Sequence, residues 1–205
     1  MAFRLHTTAL AVLSFLAAGG QAQTVSETIT VTGRSAAGNS ASVAGFGDVP
    51  LARLPLSATV ITATQLQDAG IAGLADITRL DAGTTDAYNA PGYWSQVAVR
   101  GFTLDNRFNY RRDGLPINAE TVLPTANKAA LELMKGASGI QAGTSAPGGL
   151  LNLVVKRPTA SPRRQFTLDW TEPGTVALEA DLGDRAGPDG AFGWRLNAGA
   201  KHLDP

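Results

Sequence analysis

Cysteine is absent from this chain of 205 residues, and its only two histidines are His6 and His202. Without cysteine there is no disulfide framework. Without cysteine and with so little histidine, no zinc site of the usual ligand types can be assembled. A Ser-His-Asp arrangement would have to recruit His202, so no catalytic site is expected and the chain does not read as an enzyme. Charge of one sign is also missing, since 17 basic residues balance 17 acidic ones. That balance offers no electrostatic footprint for nucleic acid. Beyond the N-terminus no apolar run reaches the roughly 18 residues of a membrane-spanning helix, so any crossing would be made by strands.

The first residues are of a different kind. Arg4 and His6 precede the apolar run Leu10 to Ala18, and Gly20 and Ala22 are small residues at the −3 and −1 positions. This reads as a signal peptide, residues 1–22, cleaved after Ala22. Cleavage removes one basic and no acidic residue and leaves the rest of the chain nearly neutral. The protein is expected to leave the cytoplasm. A periplasmic, a secreted and an outer-membrane destination all remain open on composition.

Residues 23–49 form a linker rich in Gly, Ala and Ser. Within it Glu27, Thr28, Ile29, Thr30, Val31, Thr32 and Gly33 alternate and are rich in β-branched side chains. An extended segment of this type can add a strand to a partner's sheet. Residues 51–99 read as a small α/β unit. A strand at 58–61 precedes a helix at 63–69, with Thr62 and Gln65 spaced as a capping box and Gly70 as the stop. A second helix is expected over 74–80, with Leu74, Ile77 and Thr78 on one face. Residues 97–102, VAVRGF, read as a strand ended by Arg100-Gly101-Phe102, and Asp113-Gly114 supply the turn of a hairpin over 110–116.

The stretch from Leu131 to Pro158 reads as a strand, a glycine-rich turn and a second strand. Its loop from Gly143 to Gly149 lacks the Gly-Lys-Ser/Thr of a phosphate-binding loop. The residues that stand out are Glu132, Lys135, Gly136, Gly143, Pro147, Gly148, Gly149, Asn152 and Lys156-Arg157-Pro158. Together with Arg100-Gly101-Phe102 and Asp113-Gly114-Leu115-Pro116, and in that order, they resemble the signature of the plug domain of TonB-dependent outer-membrane receptors. Two positions depart from that pattern. Ala130 stands where the family commonly has Arg, and Ala137 where it has Pro, so Glu132 is expected to lack a charged neighbour and the plug–barrel ionic contacts are left open.

After Arg163 the pattern changes. Phe166, Leu168 and Trp170, then Val176, Leu178, Ala180 and Leu182, then Phe192, Trp194, Leu196, Ala198 and Ala200 alternate with polar residues. Asp169, Glu179, Asp181 and Arg195 fall in the other series. Three strands of about nine or ten residues, with a polar turn over 184–190, match transmembrane β-strands. A soluble sandwich strand shows the same alternation.

The fold expected is therefore an α+β plug, a small mixed sheet with short helices, over residues 50–160. The first three antiparallel strands of a transmembrane β-barrel follow over 163–205. Plugged transporters have about 22 strands, so the chain reads as an N-terminal fragment that does not transport alone. The resemblance implies a receptor for a ferric siderophore in the outer membrane of a Gram-negative bacterium, in contact with outer-membrane lipid. Segment 27–33 would be the TonB box and TonB the partner. It implies ligand contacts from Tyr93, Trp94, Asp105, Asn106, Arg107, Asn118 and Glu120. Iron would travel as a chelate, with no protein metal ligand and no resident cofactor. A haem or cobalamin receptor and a soluble periplasmic binding module are the alternatives.

Overall fold

A computed structural model describes residues 50–53, 57–71, 73–90, 93–136, 145–171 and 174–202. The expected leader, linker and segment 27–33 lie outside them, as does Gly143. Eleven strands appear among the described residues. Five of them form one sheet in the order β1-β7-β8-β5-β6. These are β1 (Ser57–Thr62), β5 (Tyr110–Arg112), β6 (Leu115–Pro116), β7 (Lys128–Lys135) and β8 (Gly149–Val155). All its pairs are antiparallel except β5 with β8, which is parallel. A smaller sheet orders β2 (Thr84–Ala90), β3 (Trp94–Val99) and β4 (Phe102–Thr103).

Helix α1 (Ala63–Asp68) follows β1 and starts as its sequence requires. The Thr62 hydroxyl accepts from Gln65 N–H, and the Gln65 side chain accepts from Thr62 N–H at 2.9 Å. Gly70, at φ +62°, takes the left-handed position beyond the end. The second expected helix is a 3-10 helix, Leu74–Arg79. Asp76 accepts from Gly73 N–H at 3.1 Å and tightens its first turn. Three residues per turn put Leu74 and Ile77 one above the other, and both are buried.

The core lies between the large sheet and the elements packed on it. Ile61, Leu131, Leu133, Leu151 and Leu153 meet Leu66, Leu74, Ile77, Val97, Val99 and Leu104. Each such side chain contributes about 1.5–3 kcal/mol by leaving water.

Residues 97–102 are not one strand. β3 ends at Val99, which pairs with Phe102 of β4. Arg100 and Gly101 fill the two-residue turn between them with φ of 51° and 85°. Positive φ at both centre positions matches the twist of the flanking strands. Asp113 and Gly114, at 49° and 84°, make the same turn between β5 and β6.

The third sheet, in the order β11-β10-β9, holds β9 (Arg163–Thr171), β10 (Thr175–Ala186) and β11 (Phe192–His202). The strands are 9, 12 and 11 residues long, so two exceed the expected length. The polar turn also starts later than expected. Asp184 pairs with Trp194, and pairing runs on to Ala186 with Phe192. Register with β11 keeps Asp184 and Arg185 extended despite their polarity.

Candidate functional site

Two signature residues, Glu132 and Asn152, meet side by side on β7 and β8 and are hydrogen-bonded. Register puts Arg111 of β5 next to Asn152 on the other side. All three are buried. Asn152 Nδ2 donates to Glu132 Oε2 at 2.8 Å, and Asn152 Oδ1 accepts from Gly114 N–H at 3.0 Å. Asp113 accepts from Val155 N–H at 3.0 Å and from Arg157 Nη2 at 3.1 Å. The Asp-Gly turn is thus joined to both strands of the 131–158 motif.

The paired glycines answer to close approaches. A Cβ on Gly149 would stand 2.0 Å from the Met134 carbonyl oxygen, and one on Gly148 would stand 2.9 Å from Phe102 Cβ. Gly136, Gly148 and Gly149 also have φ of 96°, 114° and 137°. Lys135 ends β7 in an ion pair with Asp81 at 2.6 Å. Burial alone would raise the Asp81 pKa. The hydrogen bonds from Lys135, Thr59 and Gly83 outweigh it and hold the carboxyl below its ordinary value. Nothing in the sequence marked Asp81, because its side-chain partners, Thr59 and Lys135, lie on β1 and β7.

The seven residues with an implied ligand role fall into two groups. Ala119 N–H donates to Asn106 O at 2.8 Å, which brings the Asn118–Glu120 segment against the Asp105–Arg107 loop. Arg107 is exposed, 3.8 Å from Asp105 and 5.6 Å from the Phe108 ring. Asn118 and Glu120 are also exposed. Asn106 is only 9% exposed, and its Oδ1 finds no hydrogen-bond partner among the described residues.

Tyr93 and Trp94 stand at the start of β3 and belong to other surroundings. Trp94 lies 6.0 Å from the Tyr88 ring. Tyr93 and Trp94 line a cavity of about 670 Å³ between α1, residues 124–128 and strands β9 to β11. Lys128, Lys156 and Glu179 share its walls, whereas none of Asp105, Asn106, Arg107, Asn118 and Glu120 does.

Lys128 is the residue the motifs missed. It is 2% exposed, and its ammonium donates to Asn127 Oδ1. Burial, reinforced by Arg112, brings its pKa down to about 8. Among the described residues no group of His, Asp or Glu is placed to hold a metal ion. No helix among them is long and apolar enough to cross a membrane.

The third sheet has two unlike faces. Phe166, Leu168, Trp170, Leu178, Phe192, Trp194 and Leu196 are exposed on one. Asp181 and Arg195 lie on the other, joined by hydrogen bonds of 2.8 and 2.6 Å.

Residues 50–150 match the model of the TonB-dependent Receptor Plug Domain. The chain is 27% identical over 163 residues to the ferrichrome outer membrane transporter/phage receptor of Escherichia coli, covering 75% of this chain and 21% of that one. It is 31% identical over 132 residues to the ferric-pyoverdine BN7/BN8 receptor of Pseudomonas putida, covering 59% and 16%. The fold resembles part of the ferric preacinetobactin receptor BauA of Acinetobacter baumannii, with a TM-score of 0.73, 20% identity, and coverage of 81% of this chain and 25% of that one. The alcaligin outer membrane receptor FauA of Bordetella pertussis gives 0.68 at 25% identity, covering 80% and 29%. The chain thus spans about a fifth of the curated relatives named here.

Proposed function

The chain belongs to the TonB-dependent receptors, and from that premise we propose that it supplies the plug and adjoining barrel strands of an outer-membrane receptor for a ferric siderophore. The observation that carries the reading is the junction of the plug with a sheet of two unlike faces. Exposed Phe166, Leu168, Trp170, Trp194 and Leu196 suit lipid, and Asp181 and Arg195 face inward. The relatives named above are receptors or transporters of ferrichrome, ferric pyoverdine, ferric preacinetobactin and alcaligin.

The ligand is an anionic chelate bearing aryl groups. Tyr93 and Trp94 offer stacking faces at the cavity, and Arg107 offers a cation on a separate, exposed loop. Asp105, Asn106, Asn118 and Glu120 complete the surface of that loop through hydrogen bonding, so the chelate meets two distinct surfaces of the plug. TonB pairs with residues 27–33 as an added strand and supplies the pull that coupling needs. Iron is cargo held by the chelator, and the protein itself takes no cofactor.

The test is a binding titration of the full receptor, in detergent, with ferric siderophores, haem and cobalamin. Saturable binding of a ferric siderophore, weakened about tenfold or more by Trp94→Ala, is expected for an aromatic anchor. Binding of haem or cobalamin alone would reassign the ligand. Recovery of the protein in the soluble periplasmic fraction would overturn the membrane reading.

A further inference from the structure

We infer that the strap Lys156–Thr159, which leads from the plug into β9, is fixed to β10 and β11 by a seat centred on Asp181, and that it stays seated while the receptor works. Asp181 is 6% exposed. Arg195 grips it with both ends of its fork, Nε to Oδ1 at 2.8 Å and Nη2 to Oδ2 at 2.6 Å. Lys156 Nζ donates to the same carboxylate at 3.2 Å, and Arg163 Nε stands 3.8 Å from it. One buried anion therefore faces cations from the strap, from β9 and from β11.

The same side chains hold the strap's backbone. Arg195 Nη1 donates to Arg157 O at 2.8 Å, and Arg185 Nε donates to Thr159 O at 3.1 Å. The strap belongs to no strand, so side chains of β10 and β11 do for these carbonyls what a sheet ladder does elsewhere. Arg195 couples the two functions. Its planar guanidinium, oriented by the two carboxylate oxygens, aims its remaining nitrogen at the Arg157 carbonyl. Shape agrees with charge, since a Cβ on Gly193 would stand 2.8 Å from Pro158 Cβ. Only glycine lets the strap lie this close.

The other end of the plug is held differently. β1 is an edge strand of its sheet, paired with β7 alone, and Ile61 is its only fully buried residue. A displacement of the plug meets less resistance there than at the strap, where removing Asp181 would leave the part-buried Lys156 and Arg195 uncompensated. Asp181 acts through Arg195 and Lys156 and is a positioning residue.

The experiment uses the full receptor, and its uptake arm rests on the transport reading above. A nitroxide attached at Ala160→Cys should shift from a slow to a fast component in its paramagnetic resonance spectrum when Asp181→Asn is added, while one at Asp68→Cys on α1 should not change. Arg195→Lys keeps the charge but loses the fork, and should free the same label if Asp181→Asn does not fold. An unchanged strap spectrum in both variants overturns the seat. During ferric-siderophore uptake by the receptor that keeps Asp181 and Arg195, the Ala160→Cys label should keep its slow component. Appearance of the fast component during uptake overturns the claim that the strap stays seated. If the unmodified receptor imports no ferric chelate, the transport reading fails, and the label in the resting receptor still decides the seat.

Discussion

Asn152 donates to the Glu132 carboxylate at 2.8 Å, and both side chains are buried in the middle of the large sheet. With its oxygen Asn152 also accepts from Gly114 N–H, so one amide spans the Asp-Gly turn and β7. Ala130 had raised the prospect that Glu132 lacks a charged neighbour; here it has an amide donor from the next strand.

Asn152→Leu keeps the volume but removes that donor and the acceptor for Gly114. Losing a buried hydrogen bond, with the Gly114 N–H deprived of its acceptor, costs about 1–3 kcal/mol. The urea midpoint of the purified receptor should fall accordingly. Equal midpoints for Asn152→Leu and the parent would show that the Asn152 hydrogen bonds do not stabilise the plug.

Gly149→Ala should be more damaging than a methyl addition at any other described glycine of the plug. The new Cβ would lie 2.0 Å from the Met134 carbonyl oxygen, which belongs to the backbone of a paired strand. The residue would also hold a φ of 137°, where L side chains are strained. Loss of folded receptor from the membrane fraction is expected. Gly114→Ala meets no atom within 4 Å and carries only the strain of its positive φ, so it should be recovered in the membrane.

How much of this was readable in the sequence depends on the range over which each feature is decided. Thr62 and Gln65 cap a helix through atoms three residues apart, and the structure keeps that capping box intact. Alternation from Phe166 to Ala200 fixed which face each residue takes, because the period of a strand is local. The turn at Arg100-Gly101 was hidden because Arg is an uncommon residue at positive φ; only pairing of Val99 with Phe102 reveals it. The separation of Trp94 from Arg107 was equally hidden, since it follows from how two sheets pack. Lys128 carries no motif, and its burial comes from the packing around the start of β7.

Lys128 predicts a pH dependence. Its pKa is lowered from 10.5 to about 8, so the unfolded chain binds more protons than the folded one between those values. Stability should therefore rise with pH from about 8 to about 10.5. Below that window the charged, buried amine carries its full penalty. Lys128→Met should raise stability at pH 7 by about 1–3 kcal/mol and flatten the rise. Thermal unfolding of parent and variant at pH 7 and pH 10 provides the check. A variant less stable than the parent at pH 7 would mean that the hydrogen bond from the ammonium to Asn127 outweighs the cost of its burial.

The two faces of the third sheet predict opposite responses to the same substitution. Register aligns Leu168, Leu178 and Ala200 across β9, β10 and β11, and Leu178 is 54% exposed. The adjoining residue, Glu179, points to the other face, in line with Thr167 and Gly199. With these strands in a bilayer, Leu178→Arg puts a cation against lipid, at about 2–4 kcal/mol near the midplane and less toward either interface. Thr167→Arg places the same group on the face that carries Glu179 and water. The first should lower the folded fraction of receptor in liposomes and the second should leave it near the parental level. In a soluble sandwich the order would reverse, because an arginine on a water-exposed face costs little and one on a packed inner face costs more. Folded fractions of the two variants in lipid therefore decide whether the aromatic face meets a membrane.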